Sequence, residues 1–189
     1  VLQGACLAGA RTFTASCGQG LAFMFEPYFR TPPLRLPIVM SIVTRDGITP
    51  QCVWGGHQDA MTVREVGWIQ MYCETNQEIL DTVLMAYRLG EDPRVRLPVL
   101  VNLDGFYLSF TREPVSVPGP AAVDAFLPRF DSESIALRAS APESQAVAVL
   151  GGGPYSYFRY QTHLALLNGL SAYDQIAAEF ADLFGRQWP

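Results

Sequence analysis

Apolar positions in this chain follow two rhythms that alternate along its length. Residues 36–44 are almost continuously apolar, the pattern of a strand covered on both faces. Residues 95–102 repeat it, and residues 68–72 give a shorter version. Residues 11–15 alternate β-branched and aromatic side chains, which predicts a further strand. Between these runs the period lengthens to that of a helix. Leu21, Met24, Phe25 and Tyr28 share one face of a helix predicted over residues 21–29, which Thr31, Pro32 and Pro33 end. Ile79, Val83, Met85 and Ala86 mark the inner side of a helix over residues 76–89, with Gly90 as its expected C-cap. Residues 1–8 also read as helix with no N-cap residue before them, as expected of a fragment that begins inside an element.

Strands alternating with helices predict an α/β fold: a doubly wound, mostly parallel sheet with helices on both faces. The expected division places an α/β core over residues 1–113. Residues 114–154 follow as an extended connector, proline-rich to residue 120, loose from residue 131, and ending in the hinge-like Gly151-Gly152-Gly153. Residues 155–189 form a long C-terminal amphipathic helix. Its apolar side carries Phe158, Gln161, Leu164, Leu167, Tyr173, Ile176, Phe180 and Leu183, with Gly169 as a weak interruption.

Composition narrows the function classes. Of 189 residues, 49% are hydrophobic and only 16% are charged, against about 25% in ordinary soluble domains. Such a surface is expected to be covered in part by partner chains. The aromatic segments around Phe23, Phe25, Tyr28 and Phe29, around Trp54, and around Phe106, Tyr107 and Phe110 are the places to look. A net charge of −5 with no basic cluster argues against a nucleic-acid partner. Cys6, Cys17, Cys52 and Cys73 are scattered, so the reduced thiols of a cytoplasmic protein are expected rather than a metal or cluster site within the chain. The longest apolar run falls far short of the ~20 residues of a membrane span, and no signal peptide is legible.

Few side chains here are obvious catalysts. Cys17-Gly18-Gln19-Gly20, at a strand-to-helix turn, is half of a dinucleotide fingerprint and lacks the rest. It suits a backbone-lined site for a flat polar ligand. Gly151-Gly152-Gly153 lacks the Lys-Ser/Thr of a phosphate loop. His57 and Asp59 either cap the next element or stand at the edge of a site; His163, the other histidine, lies on the distant helix. Arg45 directly follows the long apolar run, where ligands bind in open α/β sheets. A guanidinium there suits bidentate capture of a carboxylate, the alternative being a surface or subunit ion pair.

These residues also carry a resemblance. The stretch Gly4-Ala5…Ala8-Gly9-Ala10-Arg11-Thr12-Phe13-Thr14-Ala15 with Gln19-Gly20-Leu21 resembles the α subunit of 2-oxoacid:ferredoxin oxidoreductases. So do Leu36-Pro37-Ile38-Val39-Met40, Gly67-Trp68-Ile69-Gln70, Asn76-Gln77-Glu78, Glu91-Asp92-Pro93-Arg94-Val95, Leu97-Pro98-Val99 and Asn102-Leu103-Asp104-Gly105-Phe106. Ala125-Phe126-Leu127-Pro128 and Phe158-Arg159-Tyr160-Gln161 continue it over nearly the whole chain.

The resemblance implies the pyrimidine-binding domain of a thiamine-diphosphate enzyme, oxidising a 2-oxoacid such as pyruvate to an acyl-CoA. It implies a partner β subunit that holds the diphosphate and Mg²⁺, [4Fe-4S] clusters on partner subunits, coenzyme A, and ferredoxin as acceptor. Thr14, Ala15, Ser16, Cys17, Gly18 and Gln19 would line the aminopyrimidine ring. Arg45 matches the family arginine that grips the substrate carboxylate, and Gly56-His57-Gln58-Asp59 matches the His-x-Asp stretch beyond it. The activating glutamate is expected just before Val1, so the isolated chain is expected to be inactive. Trp54-Gly55-Gly56 replaces more polar residues, which leaves the choice of 2-oxoacid open. The alternative to a catalytic role is an interface subunit of such a complex.

Overall fold

The computed structural model describes residues 1–47, 52–131, 137–142 and 152–187. Four strands, β1 (Phe13–Ser16), β2 (Val39–Thr44), β3 (Ile69–Cys73) and β4 (Val99–Asp104), form one sheet. Its order is β1-β2-β4-β3, and every pairing is parallel. β2 and β4 lie centrally, which is why they are the two most apolar runs. Alternation along them supplies both faces. Met40, Ile42 and Leu100 pack with Leu21, Tyr28, Ala60 and Trp68 on one side, whereas Val39, Val99 and Val101 pack with Ala86 on the other.

Helices α1 (Leu2–Leu7), α2 (Gly18–Phe23), α3 (Phe25–Arg30) and α4 (Gln58–Thr62) contribute to the first face, and α5 (Asn76–Gly90) to the second. The doubly wound α/β fold read from the sequence is therefore present. Both central strands begin later than their apolar runs, because Pro37 and Pro98 precede their first residues and a proline has no N–H for the ladder. The single helix expected over residues 21–29 is two helices broken at Met24. Pro27 cannot donate to the preceding turn, so α3 restarts with Pro27 in its first turn, where no intrahelical donor is needed.

α5 begins with a reciprocal cap. Thr75 Oγ1 accepts the Glu78 N–H at 3.1 Å, and the Glu78 carboxylate accepts the Thr75 N–H at 3.2 Å. Gly90 is not its C-cap; that position is Glu91. A glycine stands at 90 because a Cβ there would lie 2.9 Å from the Leu97 carbonyl oxygen.

Beyond the sheet, α6 (Tyr107–Phe110) follows β4, and α7 (Pro120–Phe126) forms inside the stretch expected to be extended. Pro120 opens α7 at a position that needs no N–H, and Phe126 buries its ring against Phe180 and Phe184. The last helix, α8, runs Gly152–Phe184. Gly152 and Gly153 lie in its first turn rather than in a hinge, and Gly151 lies outside the described residues. Its buried face is Thr162, Ala165, Gly169, Ala172, Ile176 and Phe180, while Leu167 and Leu183 stay exposed. Small residues bring α8 close to the sheet: a Cβ on Gly169 would sit 3.5 Å from Ile69. The buried part of α8 shares one apolar cluster with Met85, Leu89, Val95 and Leu97. Beyond it, Arg186 binds the fully buried Asp81 of α5 through two hydrogen bonds of 2.8 and 2.9 Å.

Candidate functional site at the carboxyl ends of the central strands

β2 and β4 end side by side, with Thr44 in register with Asp104. The buried Thr44 hydroxyl donates to the Leu103 carbonyl at 3.0 Å. Its one proton is thus committed, so at 2.8 Å it accepts from His57 Nδ1. This sets the imidazole tautomer and leaves the His57 Nε2 lone pair open. The His57 ring stands edge-on to Tyr72, 5.1 Å between centroids. Burial, and then the Asp59 carboxylate, push the Tyr72 phenol above its ordinary range.

Asp59, in the first turn of α4, joins three elements. Its carboxylate accepts the Gly18 N–H at 3.0 Å, the Arg45 N–H at 3.3 Å and the Ala60 N–H at 2.8 Å. The start of α2, the end of β2 and the start of α4 are therefore held by one side chain. Gln58 adds a 2.6 Å bond from the Gly47 N–H.

This clamp places Arg45 over the turn before α2. Its guanidinium lies on Gly18: a Cβ there would sit 2.5 Å from Nε and 2.9 Å from one terminal nitrogen. Gly18 also has φ +35°, which favours glycine. The same terminal nitrogen donates to Gln19 Oε1, while the Arg45 Nε is buried without a partner among the described residues.

An aromatic shelf follows β4. Asp104 accepts the Phe106 N–H at 2.8 Å, turning the chain into α6. Trp54 stacks on Phe106 with centroids 4.1 Å apart and planes 21° apart, and Tyr107 meets both rings edge-on. Phe110 adds a fourth ring, 5.3 Å from Phe106. Gly55 lies against the Asp104 carboxylate and Gly56 against that of Asp46, so that a Cβ at either position would displace the carboxylate. The loop bearing Trp54 thus spans the rim from Arg45's neighbour to the shelf.

The residues expected to line a flat ligand are divided. Gly18 and Gln19 share a cavity of about 280 Å³ with Arg45, Asp59 and Phe25. Thr14 lines a separate cavity of about 360 Å³ with Tyr28, Met40 and Trp68. Ala15 and Ser16 complete β1 between them, and the extended Cys17 is the N-cap of α2. His163, on α8, lines a groove of about 970 Å³ beside β3 and belongs to neither cavity.

Small side chains at Ala15 and Ser16 and the glycine at 18 leave the backbone open to a flat ring. Among the described residues no group of three or more His, Cys, Asp or Glu could hold a metal ion. The Arg45–Gln19 contact and the Asp59 clamp were not expected from the sequence, where an aspartate beside the start of a helix was the only signal.

An open parallel sheet covered on both faces, with charged and aromatic groups gathered at its carboxyl ends, defines a ligand-binding domain of the doubly wound class. Residues 1–168 match the family described as "Pyruvate flavodoxin/ferredoxin oxidoreductase, thiamine diP-bdg", and the chain belongs to that family. It is 53% identical to the NADH-dependent phenylglyoxylate dehydrogenase subunit alpha of Aromatoleum evansii, over 100% of this chain and 46% of that protein. It is 42% identical to the pyruvate synthase subunit PorA of Pyrococcus abyssi, over 99% of this chain and 47% of the relative. The chain thus spans about half the length of the curated relatives it matches. In structure it is similar to 2-oxoglutarate:ferredoxin oxidoreductase from Magnetococcus marinus, solved with 2-oxoglutarate, coenzyme A and succinyl-CoA bound. The TM-score is 0.61 at 15% identity, over 90% of this chain and 35% of that one, a likeness that carries the fold alone. The resemblance read from the motifs holds at the level of the family. Among the described residues no helix is long and apolar enough to cross a membrane.

Proposed function

We propose that this chain is part of the α subunit of a 2-oxoacid oxidoreductase that converts its substrate to an acyl-CoA and CO₂ with thiamine diphosphate. The observation that carries this reading is Arg45: its guanidinium lies at the end of a central strand, held in place, with no carboxylate partner among the described residues. Family membership and the names of the relatives support it. The backbone of residues 14–19 would hold the aminopyrimidine ring. The diphosphate and Mg²⁺ fall to a β subunit, [4Fe-4S] clusters to further subunits of a cytoplasmic complex, and the electrons to ferredoxin.

When bound, thiamine diphosphate supplies the carbon nucleophile for the 2-oxo carbon and accommodates the electron pair left by CO₂. Arg45 orients the substrate by paired N–H···O bonds to its carboxylate. His57, oriented by Thr44, offers Nε2 as a proton acceptor at the edge of the site.

We further propose an aryl-substituted 2-oxoacid as substrate. The shelf of Trp54, Phe106, Tyr107 and Phe110 offers ring faces and edges beside the site, and the relative at 53% identity is named for phenylglyoxylate. The test is Arg45→Ala in the complete enzyme. The KM for the 2-oxoacid rises steeply while thiamine diphosphate affinity stays near normal, since removing one partner of a buried charge pair costs roughly 2–5 kcal/mol. An unchanged kcat/KM ends the assignment.

A further inference from the structure

We infer that Gln19 is the positioning residue for Arg45, holding the guanidinium over Gly18 without neutralising it. The inference rests on the reading of Arg45 as the carboxylate ligand. Three observations carry it.

Asp59 accepts both the Gly18 and the Arg45 backbone N–H groups, so the chain segments that bear the two residues cannot drift apart. The absence of a Cβ at Gly18 lets the guanidinium pack against the backbone; with a Cβ present, Nε, Cζ and a terminal nitrogen would all lie within 3.1 Å of it. What remains free is rotation about the outer side-chain bonds of Arg45, and the hydrogen bond to Gln19 Oε1 removes it.

The chemistry of the partner matters as much as its place. A glutamine oxygen accepts hydrogen bonds and carries no charge. Among the described residues the one carboxylate that binds Arg45, that of Asp59, engages its backbone N–H and not its guanidinium. No ion pair to the Arg45 guanidinium occurs among the described residues. Arg45 therefore keeps its full charge for an incoming carboxylate. A glutamate at position 19 would sit beside the guanidinium at high effective concentration and compete with the substrate. The amide gives orientation without that competition, and a ligand carboxylate, making charge-assisted bonds about twice as strong as neutral ones, can displace it.

The test uses the complete enzyme. In Gln19→Glu, the KM for the 2-oxoacid rises about tenfold or more, the equivalent of one hydrogen bond to a charged group. In Gln19→Met, which keeps length and loses the acceptor, KM rises by less, about threefold. In both variants the loss falls on KM more than on kcat, and thiamine diphosphate affinity is followed separately by calorimetry without substrate. Gln19→Met adds nothing to the KM of Arg45→Ala, because the amide acts only through the guanidinium. A normal KM in Gln19→Glu, beside a raised KM in Arg45→Ala, overturns the inference and leaves the functional reading standing. A fall in cofactor affinity with no change in KM also overturns it and assigns the Gln19 side chain to the ring site. A normal KM in Arg45→Ala overturns the functional reading itself.

Discussion

Gly18 and Asp59 lie 41 residues apart in sequence, yet the Gly18 N–H donates to the Asp59 carboxylate at 3.0 Å. That bond, with the two from Arg45 and Ala60, makes Asp59 the keystone of the strand-end site. Asp59→Ala leaves three backbone donors to find water or go unpaired. The expected result is a loss of about 1–3 kcal/mol in unfolding free energy. The KM for the 2-oxoacid rises as well, since Arg45 loses its anchor. Denaturant titration together with steady-state kinetics checks both; intact stability with intact KM removes Asp59 from this role.

Asp81 has no exposed side-chain surface and accepts from Arg186, beyond the end of α8, at 2.8 and 2.9 Å and from the Gln77 amide at 3.1 Å. Arg186→Ala leaves that buried carboxylate with the neutral Gln77 amide and without its cation, and the expected cost is roughly 3–5 kcal/mol. Truncation of both partners, Asp81→Ala with Arg186→Ala, costs less than the single arginine change. A smaller loss in the single variant would mean that water reaches Asp81.

The Arg94 side chain, donating to both oxygens of Asp92 at 2.8 and 3.0 Å, holds the Asp92 carboxyl below its ordinary range. A depressed value in the folded state stabilises the fold at pH above the unfolded value of about 3.9. The contribution fades as pH falls through the lower folded value. Asp92→Asn is therefore expected to be less stable than the parent from pH 5 to 8, with the gap closing towards pH 2. Urea unfolding across that range is the measurement; a gap that widens in acid contradicts the sign.

Trp54 is about half exposed although it stacks on Phe106. Aromatic pairs of this kind contribute about 0.5–1.5 kcal/mol beyond area burial, so Trp54→Ala costs little stability. Its larger effect falls on substrate choice: kcat/KM drops more for an aryl 2-oxoacid than for pyruvate. Equal losses on both substrates would place the shelf outside the substrate pocket.

Burial pushes the Cys6 and Cys73 thiols up to about 11. At pH 8 roughly one in a thousand of each is thiolate, so alkylation of the native protein is slow at both. The half-buried Cys17 and Cys52 react first, and peptide mass spectrometry gives the order.

Local chemistry wrote much of this fold into the sequence. Apolar runs at residues 36–44 and 95–102 specified central parallel strands because only strands covered on both faces tolerate so few polar positions. The helical period over residues 76–89 marked α5, and Arg45 was placed at a strand end by the run before it. The boundaries moved where one residue overruled the pattern: Pro27 split a helix, and Pro37 and Pro98 delayed two strands. The inner face of α8 was misread because bulk was taken for burial, when Ala165, Gly169 and Ala172 are inside to let α8 approach closely. Family motifs ordered along the chain were equally legible, and they identified the family. What the tertiary structure alone decided is how the site's parts meet. The Asp59 bond to Gly18, the Gln19 bond to Arg45 and the Trp54 stack on Phe106 each join segments far apart in sequence. A period of two or of 3.6 residues records which way a side chain faces. The partner it finds there depends on where other strands and helices bring their ends, and no local pattern carries that distance.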